Sequence, residues 1–333
     1  MSAGTSIEWT DATWNPVRGC TRVSEGCTRC YAERMAARMS GPGQWGEGFA
    51  DRARAGSKWT GKVALIPEKL AEPLRWRKPR RIFVNSMSDL FHESLPDEAI
   101  DRVLGAIVMA PQHTYQILTK RPGRMRAYFT DENVWARIEA RARRLHYDTC
   151  PACQRADGQR RARPHLGGVT LRDGPYPCVW LGVSVEDQAT ADRRVPELLQ
   201  TPAAVRFVSY EPALAAVDFS PWVQAHELEP DLDWVIVGGE SGPGARPFDL
   251  AWARSTLRQC REAGVPVFLK QLGTRPHSTG GCHPGLRGCD HPSLSGGACD
   301  CCGRLPGMRD RKGGDPTEWS EDLRVRQWPK VKR

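Results

Sequence analysis

With 333 residues the chain can bury a large core, as one big domain or two smaller ones. Basic residues exceed acidic ones by nine and the pI is near 9.1, a balance that suits polyanionic partners, nucleic acid above all. No apolar run reaches the roughly 18 residues of a membrane span, and MSAGTSIEWTDATWNP lacks a basic stretch followed by an apolar one, so no membrane and a cytoplasmic location are expected.

In chain order, a first strand is expected over residues 13–17. The string GCTRVSEGCTRCYAER follows it, carrying Cys20, Cys27 and Cys30. In a reducing compartment, clustered cysteines read as metal ligands before disulfides. Structural zinc normally closes with four protein ligands. Three thiolates with no fourth ligand nearby suit instead a [4Fe–4S] cubane, one iron of which stays open to a substrate or cofactor. The other reading of the trio is a zinc site completed from elsewhere.

Short runs rich in β-branched and aromatic residues then recur, at 81–85, 114–118, 179–183, 205–208, 234–237 and 265–269, and read as buried strands. Pro96 opens a helix with Ile100, Val103, Leu104, Ile107 and Val108 on one face. An arginine-rich helix is expected over 134–147. Asp249 caps another helix that stops at Gly264. Repeated strand–helix alternation predicts a parallel sheet. With six to eight βα units and no glycine-rich dinucleotide turn after the first strand, the expected fold is α/β, an incomplete (βα) TIM-type barrel.

Strand C-terminal ends converge on one face of a barrel. The polar clusters there supply the candidate site residues. Glu211, Glu240, Lys120 and Lys270 are the catalytic candidates. Asn85, Ser86, Ser88, Asp89, Ser184, Glu186 and Ser209 are the candidate cofactor-binding residues. The plainer reading makes several of them caps of the following helices.

Four segments are expected: 1–133, the first part of the barrel with the cysteine loop; 134–178, an arginine- and cysteine-rich insertion; 179–274, the rest of the barrel; and 275–333, a cysteine-rich extension and tail. Cys150-x2-Cys153 and Cys299-x2-Cys302 are knuckles that together could hold one Zn2+. Cys178, Cys282, Cys289 or His165 could substitute, and spacing does not select the four. Cys260, alone in a helical pattern, reads as a small buried hydrophobe. The basic stretches 75–81, 120–126, 137–144 and 155–163 read as polyanion contacts or as salt-bridged surface.

The strings IEWTDATWNPVRGC, GCTRCYAER, FVNSMSDLF, QILTKRP, WLGVSVEDQATADRRVPEL, VRFVSYEP, DWVIVGGESGPGARPF and PVFLKQLG resemble a family of phage and prophage three-Cys-motif proteins. That family is similar to radical S-adenosylmethionine enzymes such as spore photoproduct lyase. The resemblance covers about 7–133 and 179–275, with a weaker tail near 309–328. It implies that Cys20, Cys27 and Cys30 bind three irons and that S-adenosylmethionine takes the fourth through its amino and carboxylate groups. It further implies a 5′-deoxyadenosyl radical, an electron donor such as flavodoxin or ferredoxin, and room for a partner protein encoded nearby.

Two departures from the usual C-x3-C-x2-C pattern stand out. The first gap holds six residues, and Arg29 rather than an aromatic precedes the third cysteine, with Tyr31 following it. Gly238-Gly239-Glu240 follows a late strand, whereas the amino-group contact of such enzymes follows the second, where Ser86, Ser88 and Asp89 stand. The expected activity is cleavage of S-adenosylmethionine for modification or repair of nucleic acid or nucleotides. The rivals are a zinc-stapled nucleic-acid-binding protein without catalysis, and a radical enzyme for a small metabolite or a partner protein.

Overall fold

Residues 5–53, 56–150, 174–226, 229–230, 232–278 and 308–330 are described by a computed structural model. Its main sheet has seven parallel strands: β1 (Ala12–Trp14), β2 (Arg81–Val84), β3 (Thr114–Thr119), β4 (Val179–Val185), β5 (Val205–Tyr210), β6 (Trp234–Gly238) and β7 (Val267–Gln271). Their order across the sheet is their order in the chain. A doubly wound sheet reverses direction at its switch point; this one does not. No helix among the described residues is long and apolar enough to cross a membrane.

Two compact units divide the chain, the cut falling inside β4. The first comprises Met1–Gly182, Gln200–Ala204 and the last residue. Within it β1 pairs with β2 (Ala12 opposite Ile82) and β2 with β3 (Arg81 opposite Thr114). The first strand stops at Trp14, short of the expected residue 17, because Pro16 has no N–H to give a ladder and restricts Asn15 before it. Val17–Arg18 pairs instead antiparallel with Ala64–Leu65. Trp14 is fully buried, and its indole N–H donates to the Lys69 carbonyl at 2.8 Å.

Helix α1 (Tyr31–Arg38) follows the cysteine loop, α2 (Asp97–Val108) follows β2, and α3 (Pro122–Phe129) follows β3. Asp97 and Glu98 sit in the first turn of α2, where the helix dipole favours negative charge. Its predicted apolar face is buried as read. Against it packs α4 (Val134–Thr149), so closely that a Cβ on Gly105 would lie 2.9 Å from the Ala142 nitrogen. The arginines of α4 are largely engaged. Arg137 pairs with Asp101 and Asp131, Arg141 with Glu98, Arg143 with Glu139, and Arg144 with Asp148. Of the two readings of this basic stretch, the salt-bridged surface describes the helix.

Gly19 sets the start of the cysteine loop. Its φ is +85°, and a Cβ there would lie 1.9 Å from the Lys62 carbonyl oxygen. Gly19→Ala combines a left-handed penalty of about 1–2 kcal/mol with a backbone clash. A urea melt should show a loss of about 2 kcal/mol or more; an unchanged midpoint would mean the loop is not held this way.

The second unit comprises Val183–Leu199 and Val205–Lys332. In it β5 pairs with β6 (Phe207 opposite Trp234) and β6 with β7 (Val235 opposite Val267). All five residues of β6 are buried, as befits a strand covered on both faces. The tail runs beside β7, where Leu269 N–H donates to Val325 O at 2.8 Å and Gln327 N–H to Val267 O at 2.9 Å, so that edge is not left open. Helix α5 (Gln188–Leu199) follows β4. Helix α6 (Leu250–Glu262) begins where read: Asp249 Oδ1 accepts from Ala251 N–H at 2.9 Å. Gly264, at φ +71°, follows its end. Cys260 is wholly buried in α6, and burial pushes its thiol up to about 12.

Candidate functional site

The cysteine loop belongs to the first unit. Cys20 follows Gly19, Cys27 ends a 3-10 turn (Glu25–Cys27), and Cys30 is the N-cap of α1. None of the three is in a disulfide, and each is half-buried. Cys20 and Cys30 pack with Trp45 and Met87 against Ala32, Ala36, Ala37, Phe49, Ala50 and Trp59. Glu33 of α1, only 1% exposed, ties the loop down. Its carboxylate accepts from Arg22 Nε at 3.0 and 3.2 Å, and from Trp59 N–H at 2.8 Å.

On the Cys20 side the loop meets a buried charge network from the ends of β2 and β3. Asp89 accepts from Thr119 Oγ1 (2.7 Å), Phe91 N–H (2.9 Å), Lys120 N–H (3.1 Å) and Arg121 Nη1 (3.0 Å). Four donors fill the acceptor capacity of one carboxylate. Arg121, so held, donates Nε to Glu93 at 2.7 Å and Nη2 to Thr21 Oγ1 at 2.8 Å, and brings Nη1 to 3.8 Å from Cys20 Sγ. Burial opposes the Arg121 charge, yet Asp89, Cys20 and Glu93 together raise its pKa above the ordinary value. His92 Nδ1 accepts from Ser94 N–H at 3.1 Å, which leaves Nε2 as the protonated nitrogen facing Thr21 Oγ1 at 2.8 Å. Burial first, then Arg121, lowers the His92 pKa.

The neighbouring serines are tied to backbone and loop. Ser88 Oγ donates to Val17 O at 2.9 Å, and Ser86 Oγ lies 3.2 Å from Asn15 Oδ1. Asn85, at φ +58°, accepts Val17 N–H on Oδ1 at 3.1 Å. Its Nδ2 is buried without a hydrogen-bond partner among the described residues, so one amide donor at this strand end is unspent.

Burial pushes the Cys20 thiol up to about 12, with Asp89 adding to the shift and Arg121 opposing it. The Cys30 thiol is likewise raised by burial, against the backbone N–H groups of Glu33 and Ala32 and the charge of Lys120. Each of these thiols also senses another of the trio: Cys20 senses Cys30, and Cys30 senses Cys27. A nucleophilic cysteine needs a depressed pKa. Cys20 and Cys30 have the opposite, so burial disfavours their ionised forms. Among the described residues no three Cys, His, Asp or Glu side chains converge on a point that could hold a metal ion.

Of the proposed zinc knuckles, Cys153, Cys299 and Cys302 lie outside the described residues, as do His165, Cys282 and Cys289. Cys150 is half-buried at the C-cap of α4. Cys178 is half-buried too, its thiol pushed up by burial to about 11.

The second unit holds the other strand-end candidates. Glu211, after β5, accepts from Lys270 Nζ and, at 3.4 Å, from Gln271 Nε2. The two charged side chains are each 20% exposed, the least enclosed ion pair among this unit's strand-end candidates. Bare backbone adjoins them: a Cβ on Gly238 would touch Glu211 at 3.4 Å, and one on Gly239 would strike Leu272 O at 2.5 Å. Glu240 closes on Arg246, accepting N–H at 2.8 Å, Nε at 3.1 Å and Nη2 at 2.7 Å, so it braces its own loop. Glu186 is wholly buried against Arg194, whose Nη1 lies 3.1 and 3.2 Å from the carboxylate and 2.7 Å from Ser184 O. Ser209 is buried within β5.

The first unit thus gathers Cys20, Cys27, Cys30, Asp89 and Lys120, and adds Thr21, His92, Glu93 and Arg121, which the strand-end reading passed over. Arg121 was visible only as part of a basic stretch. Nothing local in the sequence distinguishes it from Arg124, which pairs with Asp97.

The family model described as Protein of unknown function (DUF5131) matches residues 4–318. No curated protein and no solved structure matches the chain.

Proposed function

The chain belongs to the DUF5131 family, and we propose that it is a radical enzyme of the cytoplasm, built on an incomplete (βα) barrel. In this reading Cys20, Cys27 and Cys30 hold a [4Fe–4S] cluster whose remaining corner takes S-adenosylmethionine. The observation that carries it is the grouping of the trio: Cys20, Cys27 and Cys30 lie on one short loop, none in a disulfide, with Cys20 and Cys30 packed into one cluster beside Trp45 and Met87.

The donor set suits a cluster in type and number. Thiolates around one tetrahedral zinc stand about 3.8 Å apart. A cubane carries its thiolates on separate irons and spaces them more widely. Three thiols on one loop match three corners of such a group in number and kind. When bound, such a cluster supplies the electron that splits the sulfonium of S-adenosylmethionine into methionine and a 5′-deoxyadenosyl radical, which takes hydrogen from the substrate.

The protein's own part is to hold and shield. Glu33 and Arg22 fix the loop on α1, and Asp89 fixes Arg121 beside Cys20. The guanidinium there offsets thiolate charge in a buried place. Lys120 does the same toward Cys30. The spare Asn85 amide is a donor for a polar group of the cofactor. In the second unit Glu211 and Lys270 form a partly exposed charged pair. Net charge supports nucleic acid or a nucleotide as the substrate class.

Anaerobically purified protein tests this reading. Brown protein with about four irons and four sulfides per chain, releasing 5′-deoxyadenosine with dithionite and S-adenosylmethionine, is the expected result. Colourless protein holding only zinc would overturn it.

A further inference from the structure

We propose that the loop over residues 75–80 and the groove between α2 and α4 bind single-stranded nucleic acid, with phosphates on the free cations and bases on the aromatic rings. This deepens the reading of nucleic acid as the substrate class and is independent of the cluster.

Ion pairing separates this surface from the other basic stretches. On α4, Arg137, Arg141, Arg143 and Arg144 each meet an acid. Arg81 likewise meets Asp11. In the loop before β2, Arg75, Arg77 and Lys78 are exposed, and their side chains have no hydrogen bond or ion pair among the described residues. Three like charges within four positions repel one another, and a phosphate backbone relieves that repulsion. Beside them the Arg80 guanidinium lies over the half-buried Trp76 ring, 5.3 Å from its centroid. His113 meets the same indole edge-on at 6.0 Å.

The loop adjoins the groove. Arg75 ends a 3-10 turn (Pro73–Arg75) that packs on α2. The groove, of about 290 Å³, is lined by Leu70, Arg102, Arg141 and Arg144, with Glu98 and Asp148. Arg102 is half-buried there, again with no side-chain partner among the described residues. Arg141 and Arg144 hold Glu98 and Asp148, but both acids are exposed. Exposed pairs contribute little, so a phosphate can replace either acid. Arg144 also stands over the Tyr147 ring at 6.0 Å, and Tyr147 is 49% exposed. Two arginine–aromatic pairs thus accompany four cations that no acid among the described residues offsets.

Chemistry selects the partner. A single strand offers phosphates to such cations and unstacked bases to such rings. An acidic protein would call for an apolar interface core, and an anionic membrane for an apolar face to enter it. Of the large hydrophobic side chains exposed among the described residues, Tyr147 alone lies on these segments.

The test is fluorescence anisotropy of a labelled single-stranded oligodeoxynucleotide with the full-length protein over a salt series. The triple variant Arg75→Gln, Arg77→Gln, Lys78→Gln should bind about tenfold or more weakly. Its slope of log affinity against log salt should be shallower by about 2, since each phosphate contact on a single strand contributes about 0.7. Arg102→Gln should flatten the slope by about 0.7. Tyr147→Ala should weaken binding about fivefold or more with the slope unchanged, the mark of a lost stack. Arg143→Gln removes an arginine already paired with Glu139 and should bind within about twofold of wild type. Wild-type protein that does not bind the oligonucleotide overturns the proposal, as does a triple variant that binds like wild type. Wild-type affinity in Tyr147→Ala, with a duplex bound equally well, overturns the single-strand assignment. Loss of binding to phosphatidylserine vesicles in the triple variant, with oligonucleotide binding intact, assigns the loop to a membrane and overturns it too. The readout needs no iron, so failure of the cluster reading, seen as no 5′-deoxyadenosine release, leaves it standing.

Discussion

Cys27→Ala should yield protein that retains neither iron nor S-adenosylmethionine cleavage. The loop offers three thiols and no substitute. The described Cys150, Cys178 and Cys260 lie just after α4, before β4 and inside α6, not on this loop. The near polar neighbour of Cys27 is Ser24, whose Oγ is 3.9 Å from the sulfur and is a poor iron ligand beside a thiolate. Cys27 is half-buried and outside the packed cluster that holds Cys20 and Cys30, so its loss should leave the melting temperature of metal-free protein nearly unchanged. Iron analysis, the absorption spectrum and a 5′-deoxyadenosine assay read the result. A Cys27→Ala protein carrying wild-type iron would end the ligand assignment.

Asp89→Ala should be among the most damaging single changes in the first unit. Arg121 has a side chain 4% exposed and Asp89 one 8% exposed, 3.0 Å apart. Removing one member of a buried pair leaves the other charge uncompensated and typically costs about 3–5 kcal/mol. Three further donors, from Thr119, Phe91 and Lys120, also lose their acceptor. Glu93 remains on Arg121, but its side chain is 64% exposed and replaces little of the lost compensation. Urea denaturation should show the loss, and Asp89→Ala combined with Arg121→Met should recover part of it by removing the stranded cation. If Asp89→Ala alone costs less than about 1 kcal/mol, Asp89 is not the anchor of this network. The cysteine loop would feel the change through Arg121, the residue between Asp89 and Thr21.

The network around Asp89 could not have been read from the chain. Asp89 stood out because it follows a strand, which made it a candidate for binding a cofactor. The structure gives its carboxylate four protein donors and a holding role. Glu186 and Glu240 tell the same story, one facing Arg194 and the other Arg246. A strand-end carboxylate looks alike in sequence whether an arginine reaches it or not. Glu211 and Lys270, by contrast, stand out at strand ends in the sequence and do meet.

Legible in the chain alone are a first strand and six buried runs that become parallel strands, the apolar face of α2, the Asp249 cap of α6, and the grouping of three cysteines on one loop. These are local properties: side-chain period, β-branched content and capping chemistry act over a few residues and survive any tertiary arrangement. Packing, by contrast, pairs the arginines of α4 with acids that local pattern does not name. It also decided that Arg121 reaches Thr21, one hundred positions away in the chain, to stand beside Cys20. Charges find partners across whatever distance packing closes, and no local pattern records which cation a buried carboxylate will meet.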